Sequence, residues 1–247
     1  MTVVADNDMW TIKAALDWTI GFLERKGDEN SRLSAEWLMS EATGLSRIEL
    51  YVNFERPLTL DERATLRDFV ARRGKGEPLQ LISGKVPFRY ITVLVAPNVL
   101  IPRPETEVLV SEAFAELKLP RVADHVAAGE NGEEVVSPEL PELRVVDLCT
   151  GSGCIACSIA SEYPAAHVVA LDIAPEALAL AGKNVEVLGL GNRVEVLESD
   201  LLGALDPGKK GTFDLIVSNP PYVPTKVCDS LPREVSEWDP RLALDGG

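Results

Sequence analysis

The sequence predicts an α/β protein in three parts: a small all-α domain, a β-hairpin, and a parallel sheet flanked by helices. Three observations predict it. Residues 143–218 alternate short apolar runs with segments of helical period, the pattern of parallel strands joined by crossover helices. Residues 1–82 instead carry apolar side chains at helical spacing. Between these regions Lys75-Gly76-Glu77-Pro78 breaks the periodicity, as a boundary should. The expected division is a helical domain over 1–76, a hairpin linker over 77–99, and an α/β domain over 100–247.

In the first domain Ile12, Leu16, Ile20 and Leu23 recur one helical turn apart. Trp10, Trp18 and Phe22 widen that face and are expected in the core. Leu33, Trp37 and Leu38 indicate a second helix. Ser46-x-x-Glu49 and Thr59-x-x-Glu62 both have the form of a capping box, in which the first side chain and the fourth satisfy each other's backbone N–H groups. The segment opened by Thr59 carries Leu66, Phe69 and Val70, and Gly74 is placed to close it. Nothing in the domain has catalytic spacing, and a partner-docking role is the expectation for it.

Leu79–Ile82 and Ile91–Ala96 read as extended, with Lys85–Tyr90 between them, which suggests the hairpin. Pro102 and Pro104 then stiffen the chain ahead of a helix running to about Leu117. Glu105 and Glu107 fall in its first turn, where carboxylates favour the helix dipole. The alternative for this stretch is a loop that covers a cofactor. Leu119–Glu142 is acidic, proline-bearing and aperiodic, and reads as a surface loop. Strands are expected at Arg144–Leu148, His167–Asp172, Arg193–Leu197 and Phe213–Ser218, with helices at Cys154–Glu162 and Pro175–Leu188.

Composition narrows the function. Of the 247 residues 46% are apolar and 26% charged, enough to bury a core. Acidic residues outnumber basic ones by 39 to 24, a net charge of −15, which disfavours a bare phosphate backbone as partner. Asp6 and Asp8 near the start do not fit a secretory leader, and no apolar run approaches a membrane span. Cys154-x-x-Cys157 has no second pair or neighbouring His to complete a zinc site, so no metal is expected and both thiols read as small core residues. A reducing cytoplasm is the simplest compartment. The chain is taken as a monomer.

The chemistry gathers at strand ends. The run Phe213–Ser218 is followed by Asn219-Pro220-Pro221-Tyr222. Two prolines cannot continue a ladder, because each lacks an N–H and fixes φ. A stiff loop should result at the carboxyl end of a strand, where open α/β sheets hold ligands. The Asn219 oxygen and a proline carbonyl can accept the two hydrogens of a planar NH₂ group, with the Tyr222 ring packed on its plane. Asp147-Leu-Cys-Thr150-Gly151-Ser-Gly153 joins the first strand to its helix, where glycines let the backbone approach a ligand. Ala156 keeps a dinucleotide fingerprint open on spacing alone. Asp147, Asp172 and Asp200 stand at three successive strand ends. Three carboxylates suit a neutral or cationic nucleoside better than a pyrophosphate, with Asp172 accepting from ribose hydroxyls and Asp200 from an adenine amino group.

With these residues assembled, the chain resembles the S-adenosylmethionine-dependent methyltransferases of Rossmann-like fold. More closely, it resembles the HemK/PrmC family, the peptide chain release factor glutamine methyltransferases. The resemblance rests on Gly76-Glu-Pro-Leu-Gln80, Leu100-Ile-Pro-Arg-Pro-Glu-Thr-Glu107, Asp147-Leu-Cys-Thr-Gly-Ser-Gly153, Ser218-Asn-Pro-Pro-Tyr222, and Glu234-Val235 with Pro240-Arg241. It implies that S-adenosyl-L-methionine is the cofactor. Asp147, Thr150, Gly151 and Gly153 would line its methionine part, Asp172 its ribose and Asp200 its adenine. Asn219, Pro220, Pro221 and Tyr222 would bind the glutamine amide of the Gly-Gly-Gln motif, and Asn219, Pro220 and Tyr222 would carry catalysis. The helical domain would dock the release factor, with no direct nucleic acid or membrane partner.

The chain departs from the family in two places. Cys149 stands where the family usually has glycine, so a slightly tighter loop is expected. The chain also stops at Asp245-Gly246-Gly247, where the family continues into further strands. The strand ending at Ser218 is therefore expected to be an exposed apolar edge, with weak stability to match. Two other functions share these motifs: methylation of an adenine amino group in nucleic acid, and cofactor binding without turnover. A ribosomal-protein glutamine is a close variant of the leading substrate.

Overall fold

Thr11 and Thr59 fix where two helices begin, each side-chain oxygen accepting a first-turn N–H, from Ala14 and Glu62 respectively. The computed structural model describes residues 10–119, 140–209 and 211–247, with Lys209, Arg233 and Glu234 described in their backbone only. The chain divides into two compact units, the first ending at Ser83 and the second beginning at Gly84. Most of the acidic stretch expected to be a surface loop, residues 120–139, lies outside the described residues.

The first unit is helical: α1 (Ile12–Arg25), α2 (Ser31–Thr43), α3 (Arg47–Val52), α4 (Leu60–Arg73) and α5 (Leu79–Ser83). Both capping boxes form, at Ser46–Glu49 and Thr59–Glu62. Ile12, Leu23, Leu38, Met39 and Leu50 are fully buried in its core. Three expectations need correcting. Trp18 is 48% exposed and stacks on Phe22, because the buried stripe of α1 runs through Ile12, Ala15, Leu16, Thr19 and Leu23 and passes beside it. Gly74 closes α4 at φ −64°, not in the left-handed region; a Cβ there would lie 2.8 Å from the Phe22 ring, so glycine serves packing. Leu79–Ile82 is helical, not extended. The Leu81 and Ile82 N–H groups donate to Pro78 O, and Ile82 packs into the helical core.

The second unit opens with the hairpin β1 (Lys85–Phe88) and β2 (Ile91–Leu94), one element later than expected. Helix α6 (Pro104–Glu116) follows. The sheet then builds from β3 (Leu143–Leu148), α7 (Cys154–Glu162), β4 (Ala166–Asp172), α8 (Pro175–Val187), β5 (Val194–Glu198) and β6 (Leu215–Ser218). Its order is β5-β4-β3-β6 with every pair parallel, and Val145, Val146 and Ala170 are wholly buried on the central strands. Among the described residues β6 is an edge, and Ile216 on it is 54% exposed. Two buried polar clamps hold the hairpin. Asn184 accepts the Leu94 N–H at 2.7 Å and donates to Leu94 O at 3.1 Å. Arg89 makes a two-pronged ion pair with Glu162, at 2.5 and 2.6 Å. No helix among the described residues is long and apolar enough to cross a membrane.

Candidate active site

The register of the sheet sets the site. Leu148 at the end of β3 pairs with Leu171 on one side and Ser218 on the other. The loops leaving β3, β4 and β6 therefore emerge side by side at the carboxyl edge, as open α/β sheets place their ligand crevices. The Ser218 hydroxyl donates to Leu148 O at 2.9 Å and the Thr150 N–H to Leu171 O at 2.9 Å, which binds the three strand ends together.

A hollow opens over these ends. Thr150, Gly151, Asp172, Asn219 and Pro221 lie in its wall. Val99, Leu100, Pro102 and Thr106 form one side, and Pro240 and Leu242 another. Asp147, Gly153, Asp200, Pro220 and Tyr222 are absent from the wall. Asp200 is exposed, two residues past the end of β5, and Tyr222 is 77% exposed.

Asp172 is a hinge of the site. One carboxylate oxygen accepts the Gly151 N–H at 2.8 Å and the other the Ala174 N–H at 3.0 Å. Each oxygen keeps a second lone pair for a ligand donor. The neighbouring Asp147 is different. It is fully buried, one oxygen accepting from the Thr150 hydroxyl at 2.6 Å and the Ala156 N–H at 3.2 Å, the other without a partner. Burial pushes its carboxyl up to about 7, the nearby Asp172 charge adding to the effect. Asp147 thus secures the loop and the start of α7 from beneath.

The two glycines also divide. At Gly151, φ is +57° and a Cβ would meet no atom within 4 Å, so the backbone lies open to a ligand. At Gly153, φ is +78° and a Cβ would come within 3.1 Å of Ala181 Cβ, so glycine allows α7 and α8 to approach. Cys149 holds φ +57°, the left-handed region, without being glycine. Its thiol is in the wall, and burial, with Asp172 beside it, raises its pKa. Cys154 and Cys157 are free thiols in the core, pushed by burial up to about 12.

Several contacts of the site carried no sequence signal of their own. Asn219 Nδ2 donates to Thr106 Oγ1 at 3.3 Å, across 113 residues of chain. Arg103 ion-pairs with Asp239, which joins the stretch before α6 to the segment after β6. That segment lies along the diproline loop. The Val223 N–H donates to Leu244 O and the Gly246 N–H to Val223 O, both at 2.9 Å. Asn184 also donates to Ser152 O at 2.8 Å, tying the glycine loop to α8. These links join distant segments, which periodicity and spacing cannot register.

The wall chemistry decides what fits. Among the described residues its one basic side chain is Arg103, already engaged by Asp239, so no free cation faces a pyrophosphate. One carboxylate, an open glycine backbone and apolar sides from Val99, Leu100, Ile173 and Leu242 suit a nucleoside with a ribose diol.

The parallel sheet with its crevice at the carboxyl edge is a Rossmann-like fold, and the families that the chain matches make it a methyltransferase. Residues 14–84 match the family model described as the PrmC N-terminal domain, and residues 130–231 the methyltransferase small domain. The chain is 47% identical over 240 residues to a release factor glutamine methyltransferase of Geobacter sulfurreducens, covering 97% of this chain and 75% of the relative. It is 41% identical to one of Rhodopirellula baltica over 100% of this chain and 77% of that protein. With the relative of Chlorobaculum tepidum the identity is 38%, over 97% of this chain and 76% of that protein. The chain belongs to the release factor glutamine methyltransferase family.

Proposed function

We propose that this protein transfers a methyl group from S-adenosylmethionine to the side-chain nitrogen of a glutamine in peptide chain release factors. The observation that carries the site assignment is the placement of Asn219 in the wall shared with Gly151 and Asp172. Its NH₂ end is tied to Thr106, and its oxygen has no partner among the described residues.

Bound in the hollow, S-adenosylmethionine supplies an electrophilic methyl group on a sulfonium. Asp172 accepts from the ribose hydroxyls, and Thr150 and Gly151 line the adjoining part of the wall. Asp147 and Gly153 serve the cofactor indirectly, by holding the loop that carries Thr150 and Gly151. Asp200, exposed and outside the wall, would supply an acceptor for the adenine amino group. An amide nitrogen is a weak nucleophile, because its lone pair is delocalised. Asn219 Oδ1 and the Pro220 carbonyl accept the two hydrogens of the glutamine NH₂, aim the nitrogen and stabilise the positive charge that develops on it. Tyr222, at 77% exposure, is available to close over the amide plane. Alignment of this kind can supply roughly 7–11 kcal/mol, and each well-placed acceptor about 3 kcal/mol. No covalent enzyme intermediate is required.

The helical unit that ends at Ser83 docks the release factor, the hairpin Lys85–Leu94 follows it, and the sheet with its loops carries the chemistry. The protein works as a monomer in the cytoplasm, in keeping with its four free cysteines.

The test uses labelled cofactor, a release factor and a DNA duplex, with mass spectrometry of the labelled product. Label on the release factor glutamine is expected. Label on DNA would establish adenine methylation instead, and label on neither would establish binding without turnover. Asn219→Ala is expected to lose at least about a hundredfold in kcat while retaining cofactor affinity. A normal rate in that variant would remove Asn219 from the mechanism.

A further inference from the structure

We propose that Thr106 is a positioning residue for methyl transfer: its hydroxyl holds the Asn219 carboxamide in the orientation that can present its oxygen to the glutamine. The inference rests on Asn219 acting as the acceptor for the substrate NH₂.

The two ends of a carboxamide have nearly the same shape and opposite hydrogen-bonding character. Turned one way, Asn219 offers an acceptor to the glutamine NH₂. Turned the other, it offers two hydrogens to a group that itself carries two hydrogens, and the pair repels. Proline rigidity fixes the backbone of the loop but leaves this side-chain rotation open. Thr106 limits it: Oγ1 accepts an Nδ2–H at 3.3 Å, which leaves the oxygen for the substrate. A hydroxyl can also donate to the oxygen of a flipped amide, so Thr106 holds the plane of the carboxamide and the two hydrogens of the substrate NH₂ select its acceptor end. At 3.3 Å the contact is longer than the usual N–H···O range, and the inference requires it to shorten when substrate is bound.

The hydroxyl sits on a rigid element. Thr106 is 6% exposed, and its own N–H donates to Arg103 O at 3.0 Å. Pro104 at the head of α6 fixes φ there, and Arg103 is held by Asp239. A β-branched side chain is also confined in χ1, so the oxygen is fixed by more than its contacts. The flanking Glu105 and Glu107 favour the helix dipole, whereas Thr106 faces the hollow.

Thr106→Val keeps the volume and removes the acceptor; Thr106→Ser keeps the acceptor. Steady-state methylation of a release factor, cofactor binding by calorimetry, and ¹⁵N spectra of the Asn219 side chain are measured for wild type and both variants. Thr106→Val is expected to lose about tenfold in kcat, the weight of one neutral hydrogen bond. Its KM, cofactor affinity and melting temperature should stay within about twofold and a few degrees of wild type. Thr106→Ser should recover kcat to within about threefold of wild type. The Asn219 NH₂ resonances should shift in the Val variant and not in the Ser variant, with or without cofactor. An unchanged kcat in Thr106→Val overturns the inference. So does an equal loss in Thr106→Ser, or a loss of cofactor binding and folding in step with turnover, which would make Thr106 structural. Failure of the wild type to methylate any release factor would strike the substrate assignment, while the side-chain spectra would still report whether Thr106 orients the amide.

Discussion

Two loops leave neighbouring strands at the same edge of the sheet and are built in opposite ways. The loop after β3, residues 147–153, is held by a dense net of hydrogen bonds, from within the loop and from β4 and α8. Asp147 grips Thr150 and Ala156, Asp172 grips Gly151, and two glycines take left-handed turns. The loop after β6, residues 219–222, owes its shape to its prolines and its placement to distant chain: Thr106 on one side and Leu244–Gly246 on the other. The first loop should therefore report damage as lost stability, and the second as lost turnover in a protein that still folds.

The largest expected effect comes from Asp147. Its folded carboxyl titrates at about 7, against an ordinary value of 3.8. Below about pH 4 the group is protonated whether the chain is folded or not, and its full contribution is present. Between about pH 4 and 7 the unfolded chain has released a proton that the folded protein retains, so stability falls as pH rises. The gap between the two values corresponds to about 4 kcal/mol. Asp147→Asn removes this titration. The stability difference between variant and wild type, followed by denaturant unfolding, should grow in the variant's favour from pH 4 to 7 and then level off. A flat difference would mean that Asp147 is charged and well solvated in the fold.

Next comes Gly153→Ala. A methyl group would press within 3.1 Å of Ala181 Cβ and would also require φ +78° of an L-residue. Overpacking and backbone strain together should cost about 3 kcal/mol. If Ala181 were the neighbour that matters, Ala181→Gly would return part of that loss. The same change at Gly151 meets open space and should cost only the backbone strain, about 1 kcal/mol, together with cofactor affinity.

The contrast between the loops also explains what could be read from the sequence. The order of strands and helices in the sheet was legible, because Val145–Leu148, Val168–Leu171 and their crossover helices carry unbroken period. Both capping boxes were legible, since each is a contact within four residues. Leu79–Ile82 was misread as extended because four residues are too few to distinguish helix from strand; burial against the helical core decided it. Three aspartates at strand ends read alike, yet one lies wholly inside, one lines the hollow and one faces solvent. Side-chain burial depends on what packs around each strand tip: Asp147 is enclosed by the loop that carries Thr150 and by the start of α7, and Asp172 opens on the hollow lined by residues 98–106 and 240–243. Thr106 was visible in its motif but not in its role, because its partner is 113 residues away.

Gly246 probes the second loop. A Cβ there would sit 2.6 Å from Pro221 O and 2.9 Å from Tyr222 Cα, so Gly246→Ala must displace one segment or the other. A displacement of about 1 Å at the diproline corner disturbs alignment, and a loss of about tenfold in kcat is expected, with some loss of melting temperature because the atoms met are backbone. An equal fall in cofactor affinity would mean that the loop supports the cofactor rather than the amide.

The smallest effect is at Cys149. Its φ of +57° belongs to the left-handed region, which costs an L-residue roughly 1–2 kcal/mol. Glycine adopts that region freely, but it also gives the unfolded chain more freedom, which returns about 0.4–1 kcal/mol of the gain. Cys149→Gly should thus raise stability by about 0–1.6 kcal/mol, measurable as an upward shift in denaturant midpoint. The thiol lies in the wall of the hollow, held neutral by burial and the Asp172 charge, so its loss also widens the site without changing its charge. Cofactor affinity in the variant separates the two consequences. Higher stability with unchanged affinity would mark Cys149 as a strained substitute for glycine. Weaker binding would show that the side chain packs against the ligand and that the strain is kept for that contact.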